Sequence, residues 1–122
     1  MQKLSNFFEN QYFSEKELRC KCCGRLILHK DFLPRLINIR TEYAKPMYVN
    51  CCDRCPAHNV EVGGAKKSFH MKGMAIDIRN PKNLTDKYNL ISLFIKNGWS
   101  IGIYDTFFHT DIRSIPRIFK GI

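Results

Sequence analysis

Four side chains in this sequence have the types and spacing from which a catalytic metal site can be made. His70 stands seven residues before Asp77 in the stretch Ser68-Phe69-His70-Met71-Lys72-Gly73-Met74-Ala75-Ile76-Asp77, and His109 stands two residues before Asp111. Imidazole and carboxylate are among the few groups that hold zinc well, and a catalytic zinc takes three protein ligands while leaving a fourth position for water. Gly73 permits a turn and Ala75 permits close packing, so His70 can enter from a loop and Asp77 from the strand after it. His109 would complete the set from a neighbouring strand. On residue types alone a second reading stands beside this one. A histidine near a strand is commonly a hydrogen-bonded structural residue, and His109 with Asp111 could be a simple cross-sheet ion pair.

The elements that must position these residues are legible from local patterns. Ser14-Glu15-Lys16-Glu17 is a capping box and predicts a short helix. Leu33, Leu36, Ile37 and Tyr43 recur at helical spacing behind Asp31, with Pro34 tolerable in the first turn, and Pro46 ends that helix. Residues 47–51 read as a short strand, and Gly63-Gly64 as a break. Met74-Ala75-Ile76-Asp77-Ile78 alternates with period two, which puts Asp77 on the face opposite the apolar row. Residues 85–96 read as a second long helix capped by Thr85 and ended by Asn97-Gly98. Residues 99–104 and 107–112 read as two strands joined by a turn at Asp105-Thr106, with His109 and Asp111 sharing a face.

With 122 residues the chain fits one domain, expected over 1–122, and its 44% apolar and 25% charged content is that of a folded globular protein. The formal charge of +9 arises from 20 basic and 11 acidic residues spread along the whole length. Such a surface attracts polyanions, among them nucleic acid, anionic cell-wall polymers and membrane surfaces, without choosing among them. No helix-turn-helix or zinc-knuckle spacing supports a specific nucleic-acid partner. Met1 to Tyr12 holds no apolar run of the kind a secretory signal needs, and no stretch reaches the ~20 apolar residues that span a bilayer. A soluble protein made in the cytoplasm, with a monomer favoured, is the expectation.

The six cysteines form two groups, Cys20, Cys22 and Cys23, then Cys51, Cys52 and Cys55. Only Cys52 and Cys55 have the C-x-x-C spacing of a zinc ribbon, so reduced or partly buried thiols are favoured over a structural zinc bridging the groups.

The pattern S-x-H-x-x-G-x-A-x-D, met by Ser68, His70, Gly73, Ala75 and Asp77, resembles the signature of the zinc D-alanyl-D-alanine carboxypeptidase and murein endopeptidase family, peptidase family M15. Gly102-Ile103-Tyr104 through Phe108-His109-Thr110-Asp111-Ile112-Arg113 is similar to a second family motif, and Arg54-Cys55-Pro56-Ala57-His58-Asn59 to a third. The resemblance runs from about Asn6 to Arg113. It implies an α+β fold of the Hedgehog/DD-peptidase type, a small antiparallel sheet with helices packed on it. It also implies zinc held by His70, Asp77 and His109, with Arg54 facing a substrate carbonyl or carboxylate. The activity implied is hydrolysis of peptidoglycan stem peptides or crosslinks, at the cell wall and in some members after phage-endolysin-type release.

Two departures from the family pattern matter. Many relatives carry a glutamate or aspartate three residues before the last histidine, where this chain has Thr106. The catalytic base therefore falls to Asp111 first and Asp105 second, with Asp111 alternatively orienting His109. Before Arg54, Cys51-Cys52-Asp53 replaces the S-G-Y of relatives, which bears on substrate preference. Ser68 is expected to fix its loop by a hydrogen bond, and His29 and His58 to be surface or capping residues. A non-catalytic binding module on the same fold is the rival reading, favoured by Thr106, and a small basic nucleic-acid-binding protein ranks behind it.

Overall fold

A computed structural model describes residues 4–121; residues 1–3 and 122, at the two ends of the expected domain, lie outside it. The elements in chain order are β1 (Leu4–Ser5), α1 (Glu15–Leu18), β2 (Leu26–Ile27), α2 (Phe32–Tyr43), β3 (Val49–Cys51) and α3 (Pro56–Glu61). A 3-10 turn (Phe69–Lys72), β4 (Ala75–Arg79), α4 (Leu84–Lys96), β5 (Ser100–Ile103), β6 (Phe107–Asp111) and β7 (Ile118–Lys120) complete the chain. The α+β class is as expected. The strand expected over 47–51 is confined to Val49–Cys51, and that expected over 99–104 to Ser100–Ile103.

The main sheet has the order β3-β4-β6-β5-β7. Its first four strands are antiparallel neighbours, whereas β7 runs parallel to β5 and makes the sheet mixed. Sequence patterns do not mark β7, because Ile118-Phe119-Lys120 is too short to show a period and its partner is not its chain neighbour. β1 and β2 form a separate parallel pair.

Helix boundaries follow local chemistry. Both halves of the Ser14/Glu17 capping box are formed. α2 ends at Ala44, which takes the left-handed conformation two residues before Pro46. α4 starts one residue earlier than its spacing suggests: Asn83, not Thr85, is the cap, its side chain accepting from the Asp86 amide. α3, absent from the sequence reading, begins where the Cys55 sulfur accepts from the His58 amide and Pro56 occupies the first turn, a position that needs no amide hydrogen.

Phe32, Leu33, Leu36 and Ile39 of α2 and Leu90 and Phe94 of α4 are buried in one core with Ile76, Ile78, Ile101 and Phe108 of the sheet. Phe94 meets the rings of Trp99 and Phe108 edge-on at 5.0 and 5.8 Å. The helices therefore cover one face of the central strands and fix them rigidly. The opposite face carries Asp77 and His109.

Candidate metal centre

The site is built on the β4–β6 ladder, where Asp77 and His109 are directly paired residues. Antiparallel partners bring their side chains together on one face, and Asp77 Oδ1 lies 3.0 Å from His109 Nδ1. His70 reaches the same oxygen from the turn that precedes β4, its Nε2 at 3.1 Å.

Every marked position of the Ser68–Asp77 stretch has a mechanical reason. Ser68 caps the 3-10 turn, its hydroxyl accepting from the His70 amide at 3.2 Å, as expected of it. Gly73 closes the turn at φ +66°, and a Cβ there would run into the backbone of Ile27 and Leu28. Ala75 is fully buried beside this crossing, so the chain can swing His70 back over Asp77.

Both imidazoles are held by their far nitrogens. His70 Nδ1 lies 2.7 Å from the Cys52 carbonyl, which can only accept, so that nitrogen carries a hydrogen. His109 Nε2 lies 2.7 Å from Asp111 Oδ2. In neutral rings both lone pairs would then point at one carboxylate oxygen. That arrangement repels itself unless a proton or a metal cation lies between the groups. The proton affinities of the metal-free site express the same demand. Burial disfavours a charged His70, but hydrogen bonds to Asp77 and Cys51 outweigh it and raise its pKa to about 9. Burial works against an ionised Asp77 too, and the two histidines override it, holding the carboxyl far below its usual range.

The donor set fits zinc. Two nitrogens and a carboxylate oxygen suit that ion, and the imidazole nitrogens of His70 and His109 lie 3.1 and 3.0 Å from Asp77 Oδ1. Outer partners that fix the tautomer and direction of metal-ligating imidazoles are a regular feature of such sites. Cys51 also comes near, with donor atoms of Cys51, His70 and Asp77 all within 4.8 Å of one another. Its sulfur, however, stands 4.0 Å from His70 on the Nδ1 side and accepts from Arg54 Nη2 at 3.3 Å.

Arg54 lies alongside, with Nη2 3.9 Å from Asp77 Oδ2 and Nη1 donating to Asn59 at 2.9 Å. Asn59 in turn donates to the Ala65 carbonyl, and a side chain at Gly64 would collide with both Asn59 and Arg54. The Arg54–Asn59 stretch is thus a device for aiming a guanidinium. Its Nε is buried and has no hydrogen-bond partner among the described residues. Behind it, Arg25 makes a two-pronged pair with Asp53 at 3.0 Å and also donates to the Arg54 carbonyl, a support that sequence spacing gave no sign of.

The two candidate bases sit differently from the metal donors. Asp111 is fully buried and absent from the cleft wall; besides His109 it takes Arg113 Nε at 2.8 Å and Nη2 at 2.6 Å. Burial raises its pKa, but Arg113 and His109 outweigh that and keep it far below the usual carboxylate range. Asp105 is exposed on the β5–β6 turn, between Tyr104 and Phe107, which both line the cleft.

That cleft, about 490 Å³, opens over His70, Asp77 and His109. Arg54, Lys67 and Arg113 bring positive charge to its walls, and Phe69, Phe107 and Phe119 bring aromatic surface. Phe119 arrives from β7, its ring 5.9 Å from that of His109. Asp77 is the only carboxylate on the cleft wall among the described residues.

No helix among the described residues is long and apolar enough to cross a membrane. No curated protein matches the chain. The family model for peptidase M15 matches residues 11–111, a span holding His70, Asp77, His109, Arg54 and both acids of the β5–β6 region. On that match the chain belongs to the peptidase M15 family of metallopeptidases.

Proposed function

We propose that this protein is a zinc peptidase that hydrolyses peptide bonds in peptidoglycan stem peptides or crosslinks, with His70, Asp77 and His109 as the zinc ligands. The observation that carries the reading is the convergence of both imidazoles, each tethered by its outer nitrogen, on Asp77 Oδ1. Zinc bound there supplies a Lewis acid for the scissile carbonyl and lowers the pKa of water towards neutrality.

The chain's own residues do the rest. Arg54, on the cleft wall with Nη1 and Nη2 braced by Asn59 and Cys51, binds a substrate carbonyl or carboxylate. Lys67 and Arg113 favour acidic peptides in the cleft, as stem peptides are. Asp111, spent on His109 and Arg113 and sealed from the cleft, acts in this reading as the residue that orients His109. The proton-accepting role then falls to Asp105, exposed on the turn between the cleft residues Tyr104 and Phe107.

The test is incubation of the purified protein with peptidoglycan. Release of new amino groups that stops with a chelator and resumes with zinc is the expected result. A second reading, a binding module on the same fold, is favoured by one observation: no carboxylate other than Asp77 lines the cleft among the described residues. Zinc-loaded protein that binds peptidoglycan and frees no amino groups would establish it instead.

A further inference from the structure

Away from the cleft, chain folding assembles four thiols that the sequence separates. Cys20, Cys22 and Cys23 occupy the loop after α1, and Cys55 heads α3; their sulfur atoms all lie within 4.8 Å of one another. The Cys22 and Cys55 sulfurs are 3.3 Å apart, and those of Cys20 and Cys22 3.9 Å. Zinc–sulfur bonds of ~2.3 Å in a tetrahedron set the sulfurs about 3.8 Å apart, whereas a disulfide needs ~2.05 Å. The spacing is that of a coordination shell. Cys51 and Cys52 take no part: the sulfur of the first accepts from Arg54, and the second is buried in the core.

From this geometry we infer that Cys20, Cys22, Cys23 and Cys55 form a second metal site, a closed tetrathiolate zinc centre with a structural role. The backbone is arranged for thiolates there. The Cys55 amide points at Cys20 Sγ at 3.4 Å, and the His58 amide at Cys55 Sγ at 3.4 Å. Gly24, at φ +76°, turns the loop back so that its amide donates to the Cys20 carbonyl at 2.9 Å. Zinc displaces the thiol protons to solvent and leaves a centre of net charge about −2, counting four thiolates against one divalent ion. Lys16, Arg19 and Lys21, in the same surface recess as Cys20 and Cys23, offset that charge.

The centre joins the end of α1 to the start of α3, one residue from Arg54. With Asp53 accepting from Arg25 and its amide donating to the Leu18 carbonyl, segment 53–55 is pinned on three sides. Four cysteines therefore act on the cleft through the position of Arg54, without touching it.

The test is independent of the cleft. Protein purified under reducing conditions should carry about two equivalents of zinc per chain. His70→Ala, which removes a cleft ligand, should retain one equivalent, and cobalt in its place should show thiolate charge-transfer bands and the strong visible absorption of a tetrahedral tetrathiolate. Cys22→Ser combined with Cys23→Ser should lose that spectrum. If this double variant does not fold, wild-type protein decides by native mass and cobalt spectrum alone. A His70→Ala protein with no metal, cobalt bound without thiolate bands, or an intact mass showing a Cys22–Cys55 disulfide in the reduced preparation overturns the inference. Wild-type protein that shows the tetrathiolate spectrum yet frees no amino groups from peptidoglycan would count against the proposed function and leave this centre standing.

Discussion

Asp77 and His109 are register partners on adjacent antiparallel strands, and Asp77 Oδ1 lies 3.0 Å from His109 Nδ1. This separation is set by the ladder itself, so it does not depend on a flexible loop. His70, from a turn closed by Gly73, is the part of the donor set that the local backbone must hold in place.

If Asp111 orients His109 and Asp105 accepts the proton, their substitutions separate. Asp111→Asn should weaken zinc binding about 10–100-fold, the usual effect of losing an outer partner of a metal-ligating histidine. Asp105→Asn should leave zinc affinity unchanged and lower kcat. Chelator competition and steady-state kinetics on both variants check this, and equal metal loss in the two would refute it.

Zinc uptake should be coupled to proton release. Because Asp77 and Cys51 outweigh the burial of His70 and raise its pKa from 6.5 to about 9, the metal-free imidazole is charged at neutral pH. The sign follows from the raised value: the histidine's favourable contribution to the metal-free fold is complete below 6.5 and fades as pH climbs through about 9. Zinc competes with that proton, so its apparent affinity should fall as pH drops from about 9. Calorimetry in buffers of different ionisation enthalpy measures the protons released.

Gly73→Ala should destabilise the fold by at least about 2 kcal/mol and lower zinc affinity as well, since a left-handed residue is strained and its new Cβ meets the Ile27–Leu28 backbone. Urea denaturation of the metal-free protein isolates the first effect. Gly24→Ala, where the added atom meets nothing within 4 Å, shares only the backbone strain and should cost less.

Arg25→Ala should cost about 3 kcal/mol, because it strands the buried Asp53 carboxylate. It also removes the donor to the Arg54 carbonyl, so KM for a peptide substrate should rise along with the loss of stability. Denaturant midpoints and kinetics below the unfolding transition distinguish the two consequences.

Local patterns in the chain determined much of this protein without reference to its fold. The Ser14/Glu17 capping box, the helical spacing of Leu33 and Leu36, and the alternation from Met74 to Ile78 are short-range relations, and each is realised. The same alternation placed Asp77 opposite the apolar row, and the strand at Phe107 placed His109 and Asp111 on one side. Other features depend on residues distant in sequence that carry no mark of one another. Arg25 reaches Asp53 across 28 residues, β7 meets β5 rather than the strand before it, and Cys55 joins Cys20 across 35 residues. Asn83 outcompeted Thr85 as a cap because its side chain meets the Asp86 amide, a choice between equivalent residue types that only the path of the chain could make. Residue type and periodicity specify which groups are available and which way they face. Distances between groups on separate elements are decided by packing, because the burial that drives it is non-directional and is satisfied only by the chain as a whole.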